Sequence, residues 1–443
     1  MVALFRQRSA STFFLHRVFL ANAFRLPPKA VETYRNDDSG EHAKPYPGTN
    51  VEHRNRIEFH VRVSTHRLLL GPGQSSMFRR FYSNAVQRLS SLDIATEWTY
   101  IPDFLDIFKS DLTAATVDSL AGRRLLQQSP SFVKDLWTID KHITGLVLKL
   151  PRFFNPKAHQ ARDRAFNAVL DWQSWATQNF NPEAIDSEGN DPFWGCGFFR
   201  ERQNLFLNID GFDRHAIASE DLSFIWSANT NAIVSSFWIT LEAFRDVSLL
   251  RAIREEVQPC VQTGPDNQLL FDVPKLVGQP LLQAVFAETL RLRVHGFLIR
   301  RPEREALQVN SWTIPRNHWC IASSTPASMD PDFWCQGENS SHSVSHFWPG
   351  RFLRRDTKTN ALTYSLGGTE GYWVPFGGGP HACPGRIFTK RQNILALAVM
   401  VTLYDCDVLA TEKDMGLKAG TYPLGSVPPH GSVPVRLRRR VFL

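Results

Sequence analysis

Residues 376–385 read Phe376-Gly377-Gly378-Gly379-Pro380-His381-Ala382-Cys383-Pro384-Gly385, one cysteine in a glycine-rich loop just ahead of an apolar helical run. Proline directly after Cys383 suits the first position of a helix, where no amide partner is lost. First-turn amides and the positive end of the helix dipole then favour a thiolate at Cys383. Gly377, Gly378 and Gly379 let backbone approach something flat and bulky. His381 can donate a hydrogen bond to a nearby anion. Together these features suggest an axial thiolate on haem iron with a propionate contact. The plainer alternative is a structural cysteine in a Gly-Pro loop, since free cysteines are often buried.

Upstream, Glu288-Thr289-Leu290-Arg291 places a carboxylate and a guanidinium on one helical face at i,i+3. Alone, such a pair reads as an ordinary surface ion pair. Ala284, Val285, Phe286 and Ala287 make this helix apolar, so the pair is expected to be partly buried. A buried pair needs further hydrogen bonds, and a third charged partner would supply them. Phe347-Trp348-Pro349-Gly350-Arg351-Phe352 offers Arg351.

The spacing F-x-x-G-x-[RH]-x-C-x-G, filled by Phe376, Gly379, His381, Cys383 and Gly385, resembles the haem-binding loop of the cytochrome P450 family. Glu288, Arg291 and Arg351 resemble that family's structural triad behind the haem, with Gly350 where a glutamate is usual. The resemblance implies a mainly α fold with a small β region, the cytochrome P450 fold, and haem b between a long central helix and the cysteine loop. It also implies that Arg300, in the stretch GFLIRRPERE, binds a haem propionate. A solvated strand face is the alternative for Arg300 and Arg301. The tryptophan and arginine that commonly hold propionates near the third helix are not recognisable.

A long helix is expected over 216–244. Family members usually carry an acid-alcohol pair where it passes the iron, and here those positions hold Thr230 and Asn231. The pattern from Trp226 to Trp238 resembles the branch containing steroid 7α-hydroxylases and prostacyclin synthase. Asn231 therefore suits both hydroxylation and peroxide rearrangement; the alternative is a helix-interior amide bonded to a neighbour.

The function so implied is a haem-thiolate monooxygenase. It would oxidise a lipophilic small molecule (a sterol, terpenoid or polyketide), in fungal secondary metabolism, with Asn231 and Thr230 as catalytic residues. Electrons would come from NADPH through a separate NADPH-cytochrome reductase, since no nicotinamide fingerprint is present. Alternatives are a peroxide isomerase or dehydratase needing no reductase, and a haem-binding protein with little activity. The expected location is the cytosolic face of the endoplasmic reticulum membrane, with a mitochondrial alternative.

The 443 residues are 43% hydrophobic and 12% aromatic, enough for a large buried interior. The net charge of +7 includes a knot at Arg436, Arg438, Arg439 and Arg440. No recognition motif accompanies it, so nucleic acid is not an expected partner; an acidic redox partner or a membrane surface is. The six cysteines form no C-x-x-C pair, against a zinc site or disulfide scaffold. Residues 1–35 are basic and apolar and read as a targeting or interfacial segment, with 36–443 as a single domain. The apolar stretch 12–24 contains His16 and Arg17 and is too short to span a bilayer.

Alternation in IEFHVRV predicts a strand within 57–70. Helices are expected over 71–90, 103–120, 130–150, 158–178, 248–257 and 278–293, and from Cys383 to about Tyr404. A β region is expected over 297–325. Residues 326–375 form a long irregular connection of the kind that wraps a site. The tail from Gly420 predicts a terminal hairpin.

Overall fold

The computed structural model describes residues 2–5, 10–71, 73–264, 268–417 and 424–441. The chain divides into two compact units, one of residues 12–85 and 109–230, the other of residues 1–11, 86–108 and 231–443.

The first unit is helical. It contains α1 (Phe13–Ala23), α2 (Pro28–Asn36), α3 (Ile57–Leu69), most of α4 (Gly73–Ser90), α5 (Thr113–Ala121), α6 (Phe132–Lys141), α7 (Pro156–Asn179), α8 (Phe198–Phe206) and the first half of α9 (Arg214–Arg245). Pro28 opens α2, where a missing amide costs nothing. Leu20, Tyr34, Ile57, Phe206 and Ile217 share one core cluster. The apolar stretch 12–24 thus supplies α1 and its two caps, with Phe14, Leu20 and Ala23 buried.

The strand expected over 57–70 is α3 instead. Strand alternation would bury Ile57, Phe59, Val61 and Val63 together, yet Val63 is 45% exposed. Ile57, His60, Val61 and Leu68 are buried, the set a helical stripe presents. Seven alternating residues cannot separate the two periods, and packing against Tyr34 and Phe206 decides for the helix.

A charged cluster, silent in the sequence, lies buried in this unit. Arg202 donates from Nε to Asp221 at 2.9 Å and lies 3.3 Å from Glu220. Tyr34 donates to Glu220 and Gln173 donates to Asp221 at 2.7 Å. Burial pushes Asp221 up to about 7, against the pull of Arg202.

The second unit carries the sheets. Its strands are β1 (Ala10–Ser11), β2 (Thr99–Ile101), β3 (Val294–Pro302), β4 (Cys320–Ser323), β5 (Tyr404–Val408), β6 (Leu424–Ser426) and β7 (Val435–Arg439), with small hairpins besides. Strand β3 pairs antiparallel with β1, β4 and β6. The helices α10 (Val247–Val257), α11 (Pro280–Arg293) and α12 (Arg386–Leu403) complete it. Asp246 caps α10, its carboxylate accepting from the Ser248 and Leu249 amides at 2.8 and 3.0 Å.

The expected terminal hairpin does not form. β7 lies between β5 and β2, while β6 joins β3. Val435 and Leu437 are buried on one face of β7. On the other, Arg436 and Arg438 pair with Asp407 and Asp405. Arg439 donates to the Ser90 carbonyl at 2.8 Å and Arg440 to the Val401 carbonyl at 3.2 Å. Two aspartates thus offset two of the four arginine charges of the basic knot, and backbone carbonyls satisfy donors of Arg439 and Arg440. Among the described residues no helix is long and apolar enough to cross a membrane.

Candidate functional site

The cysteine loop is shaped by its glycines. Gly377 and Gly379 adopt φ of +68° and +65°, a region that favours glycine. The Cys383 amide donates to the Phe376 carbonyl at 2.9 Å, closing the turn. The helix starts later than the sequence suggests: Gly385 is the N-cap and Arg386 the first helical residue, so Pro384 precedes the helix. The amides of Gly385 and Arg386 nevertheless bond toward the Cys383 sulfur.

The expected depression of the Cys383 thiol is not found. Burial pushes it up, outweighing those two amides and the Arg386 guanidinium. Its side chain is still accessible to solvent, so the sulfur lies in a recess: crowded by protein, open on one side. Only a ligand that brings positive charge to that open side would hold it as thiolate.

Phe376 ties the loop to α11. Its ring stacks at 6.4 Å on Phe286 and meets Trp373 edge-on at 6.2 Å. The Trp373 indole donates to the Ala287 carbonyl at 2.9 Å. Glu288 follows immediately. Arg291 donates to it from Nε and Nη2 at 2.7 and 2.8 Å, and Arg351 from Nε at 3.4 Å. All three side chains are fully buried, more than the partial burial expected.

The long connection 326–375 supplies the remaining partners. Arg291 donates to the Ser328 and Val344 carbonyls at 2.8 and 2.7 Å. Arg351 donates to the Trp334 carbonyl and, at 2.7 Å, to that of Ser343. The Trp348 amide donates to Glu288 at 3.0 Å. This connection wraps the triad mostly with backbone carbonyls, groups that no sequence pattern marks.

Asn231 is exposed, although the thirteen residues after it on α9 are all buried. Its Oδ1 accepts from the Ser426 amide at 2.8 Å, and its carbonyl accepts from the hydroxyls of Ser426 and Ser235, both at 2.9 Å. Those two hydroxyls are 2.7 Å apart. Gly425 passes so close that a side chain there would collide with the Asn231 carboxamide. With Oδ1 engaged, Nδ2 is left to donate on the accessible side. Thr230 is buried. Sequence reasoning missed Gly425 and Ser426, which lie 194 and 195 residues away along the chain.

Arg300 is buried on β3, opposite Cys320, and donates to the Ile299 carbonyl at 3.1 Å. His381 is half-buried in a short turn, Gly379–His381. A side chain on Gly385 would stand 3.7 Å from the Cys383 sulfur. Phe5 lies against the backbone of Gly378 and Gly379. Among the described residues no group of three or more His, Cys, Asp or Glu could hold a bare metal ion. One accessible sulfur with two amides aimed at it, in a glycine turn with a buried arginine on β3, fits a metal that brings its other ligands with it.

A family model described as Cytochrome P450 matches residues 143–427. Cytochrome P450 monooxygenase fsoE of Humicola fuscoatra is 31% identical over 95% of this chain and 75% of its own length. Cytochrome P450 monooxygenase calL of Penicillium decumbens is 26% identical over 97% of this chain and 81% of its own. Cytochrome P450 7A1 of Oryctolagus cuniculus is 25% identical over 70% of this chain and 61% of its own.

Proposed function

Because the chain belongs to the cytochrome P450 family and is an oxidoreductase of its monooxygenase class, we propose that it inserts one oxygen atom into a C–H bond of a lipophilic small molecule in fungal secondary metabolism. A sterol or terpenoid skeleton is favoured by the α9 pattern shared with the steroid hydroxylases and by likeness to the Cholesterol 7-alpha-monooxygenase of Cricetulus griseus. The balance is RH, O2, NADPH and a proton giving ROH, water and NADP+. The observation that carries the reading is the accessible Cys383 sulfur, in a loop that Phe376 joins to the buried triad.

The family's haem iron, when bound, supplies the oxygen activation. Cys383 would hold it through its sulfur, where the Gly385 and Arg386 amides favour negative charge. Glu288, Arg291 and Arg351 fix α11 and the connection 326–375, and through Phe376 the cysteine loop. Arg300 and His381 would hold the propionates, with Gly379 and Gly385 keeping side chains off the loop. Asn231 donates from Nδ2 to orient water, and the Ser235 and Ser426 hydroxyls beside it relay protons, with Thr230 as its neighbour on α9.

The test is electron dependence. With a microsomal-type reductase, product from candidate lipids requires NADPH and O2. Turnover of an organic hydroperoxide without reductase, and none with it, would instead establish the isomerase reading.

A membrane surface is proposed as a further partner, at the cytosolic face of the endoplasmic reticulum. Leu148, Leu150, Phe153 and Phe154 are 69%, 43%, 75% and 71% exposed within seven residues, with Lys149 and Lys157 beside them. Such an apolar cluster with basic neighbours suits the headgroup boundary of an anionic bilayer. A Phe153→Ser/Phe154→Ser variant should lose at least about tenfold in sedimentation with phosphatidylserine-containing vesicles, since each ring contributes roughly 1.5–3 kcal/mol when buried. Unchanged sedimentation removes this loop from the contact.

A further inference from the structure

The second unit carries a histidine pair that the oxygen chemistry does not use. His342 and His346 meet on the connection 326–375 with their Nδ1 atoms 3.2 Å apart. The ring centroids are 5.2 Å apart and the ring planes 9° from parallel. The two nitrogens therefore lie between the rings and face each other. His342 is half-buried and His346 is exposed, so the pair opens to solvent.

Buried groups hold the backbone under this pair. The His342 amide donates to the Asn339 carbonyl at 3.1 Å, and the His346 amide to the Ser343 carbonyl at 3.0 Å. Three successive carbonyls are tied to the interior. That of His342 accepts from Arg351 and from the Cys335 thiol, both at 3.3 Å. That of Ser343 accepts from Arg351 at 2.7 Å, and that of Val344 from Arg291 at 2.7 Å. The His342 ring also stacks on Trp348 at 4.0 Å, and the Trp348 amide donates to Glu288. The triad beneath thus fixes the spacing of the two imidazoles, which lowers the entropic cost of binding an ion between them.

A neutral pair can share one N–H···N hydrogen bond, but at a solvent-exposed site such a bond contributes little. The same spacing suits a shared cation. Two nitrogens at 2.0–2.1 Å from a tetrahedral zinc ion stand about 3.3 Å apart, close to the 3.2 Å found here. A small turn of each ring about χ2, a soft torsion, aims both lone pairs at one ion. Asp246 is near enough to interact electrostatically with His346. Its bonds at the start of α10, from the Ser248 amide and hydroxyl and the Leu249 amide, all fall on Oδ1. Oδ2 is left to accept from water on the ion, as carboxylates beside metal sites do. Imidazole ligands select zinc, copper or nickel over magnesium and calcium.

We propose that His342 and His346 bind an exchangeable divalent cation of the zinc class, with water completing its coordination and Asp246 accepting from that water. Two protein ligands, rather than the four of a structural zinc site, make the ion exchangeable. The bound ion clasps the segment whose carbonyls cover Arg291 and Arg351, and so braces the triad from outside. Nothing in this site depends on the reaction carried out at Cys383.

The experiment titrates zinc chloride into the full-length, haem-loaded protein by calorimetry, with magnesium chloride as the control. Wild type should bind zinc and not magnesium. His346→Ala, and His342→Phe, which keeps a ring on Trp348, should each weaken the tightest zinc site by at least about tenfold, the lower end of what loss of a supporting group at a metal site costs. At a hundredfold excess over its dissociation constant, zinc should raise the melting temperature of wild type by about 3 degrees and that of neither variant. Transfer of haem to excess apomyoglobin should slow under the same conditions in wild type alone. Without zinc, His346→Ala should melt with wild type, because it replaces an exposed ring. Zinc that binds all three proteins alike is an adventitious ion only, and overturns the proposal. So does magnesium binding as tightly as zinc, or zinc binding that leaves both melting and haem transfer unchanged.

Discussion

Replacing Cys383 by serine abolishes the thiolate-type Soret shift of the reduced, carbon monoxide-treated protein and abolishes oxygen insertion with it. The sulfur is accessible and forms no packing core, so the fold should change by no more than about 0.5 kcal/mol, the usual range for substitutions away from buried features. What is lost is chemical. The Gly385 and Arg386 amides are placed to stabilise an anionic sulfur. A serine hydroxyl at the same point is far harder to ionise and cannot supply the soft donor that favours O–O cleavage. The two readings of this cysteine separate cleanly. A structural cysteine predicts a lower melting temperature with no spectral consequence. An axial ligand predicts the reverse. A variant that retains the wild-type spectrum would falsify the assignment of Cys383.

The motifs that could be read directly are those in which residue type and local geometry coincide. Gly377 and Gly379 occupy positive φ because the loop demands it, and their spacing to Cys383 is visible in ten residues. Glu288 and Arg291 meet because i,i+3 on a helix makes them meet. Their full burial was less legible. It depends on Trp348, Ser328 and Val344, which contribute backbone groups from 37 to 60 residues downstream. The same limit hid Ser426, whose amide holds Asn231 across 195 residues. The two misassigned segments failed for different reasons. Residues 57–70 carry a pattern that fits either period, and the core around Tyr34 selects the helix. The tail failed because its strands find separate partners, β5 and β2 for one and β3 for the other. The burial that raises the cost of charge at Cys383 was likewise not visible in the loop's sequence.

Glu288→Ala should leave the protein unable to retain haem, and should lower its melting temperature by roughly 3–5 degrees. Glu288 accepts four hydrogen bonds: two from Arg291, one from Arg351 and one from the Trp348 amide. Alanine removes all four acceptor contacts at once from a fully buried site. The carbonyls of Ser328, Val344 and Ser343 still engage the two guanidiniums, but nothing remains to neutralise either charge. Breaking a buried pair in this way costs about 3–5 kcal/mol, a large share of the 5–15 kcal/mol that typically separates folded from unfolded chains. The damage reaches the haem loop by a short route: Glu288 follows Ala287, whose carbonyl holds Trp373, and Trp373 packs on Phe376. Glu288→Gln keeps one acceptor oxygen and should be milder while still losing haem, because the excess positive charge persists. Arg291→Ala combined with Glu288→Ala should cost less than the sum of the two single changes, since the second removes a charge the first had stranded. Haem content, read from the Soret absorbance per polypeptide, and thermal melting together make the check. A Glu288→Ala protein with full haem occupancy and an unchanged melting temperature would show that this carboxylate braces nothing.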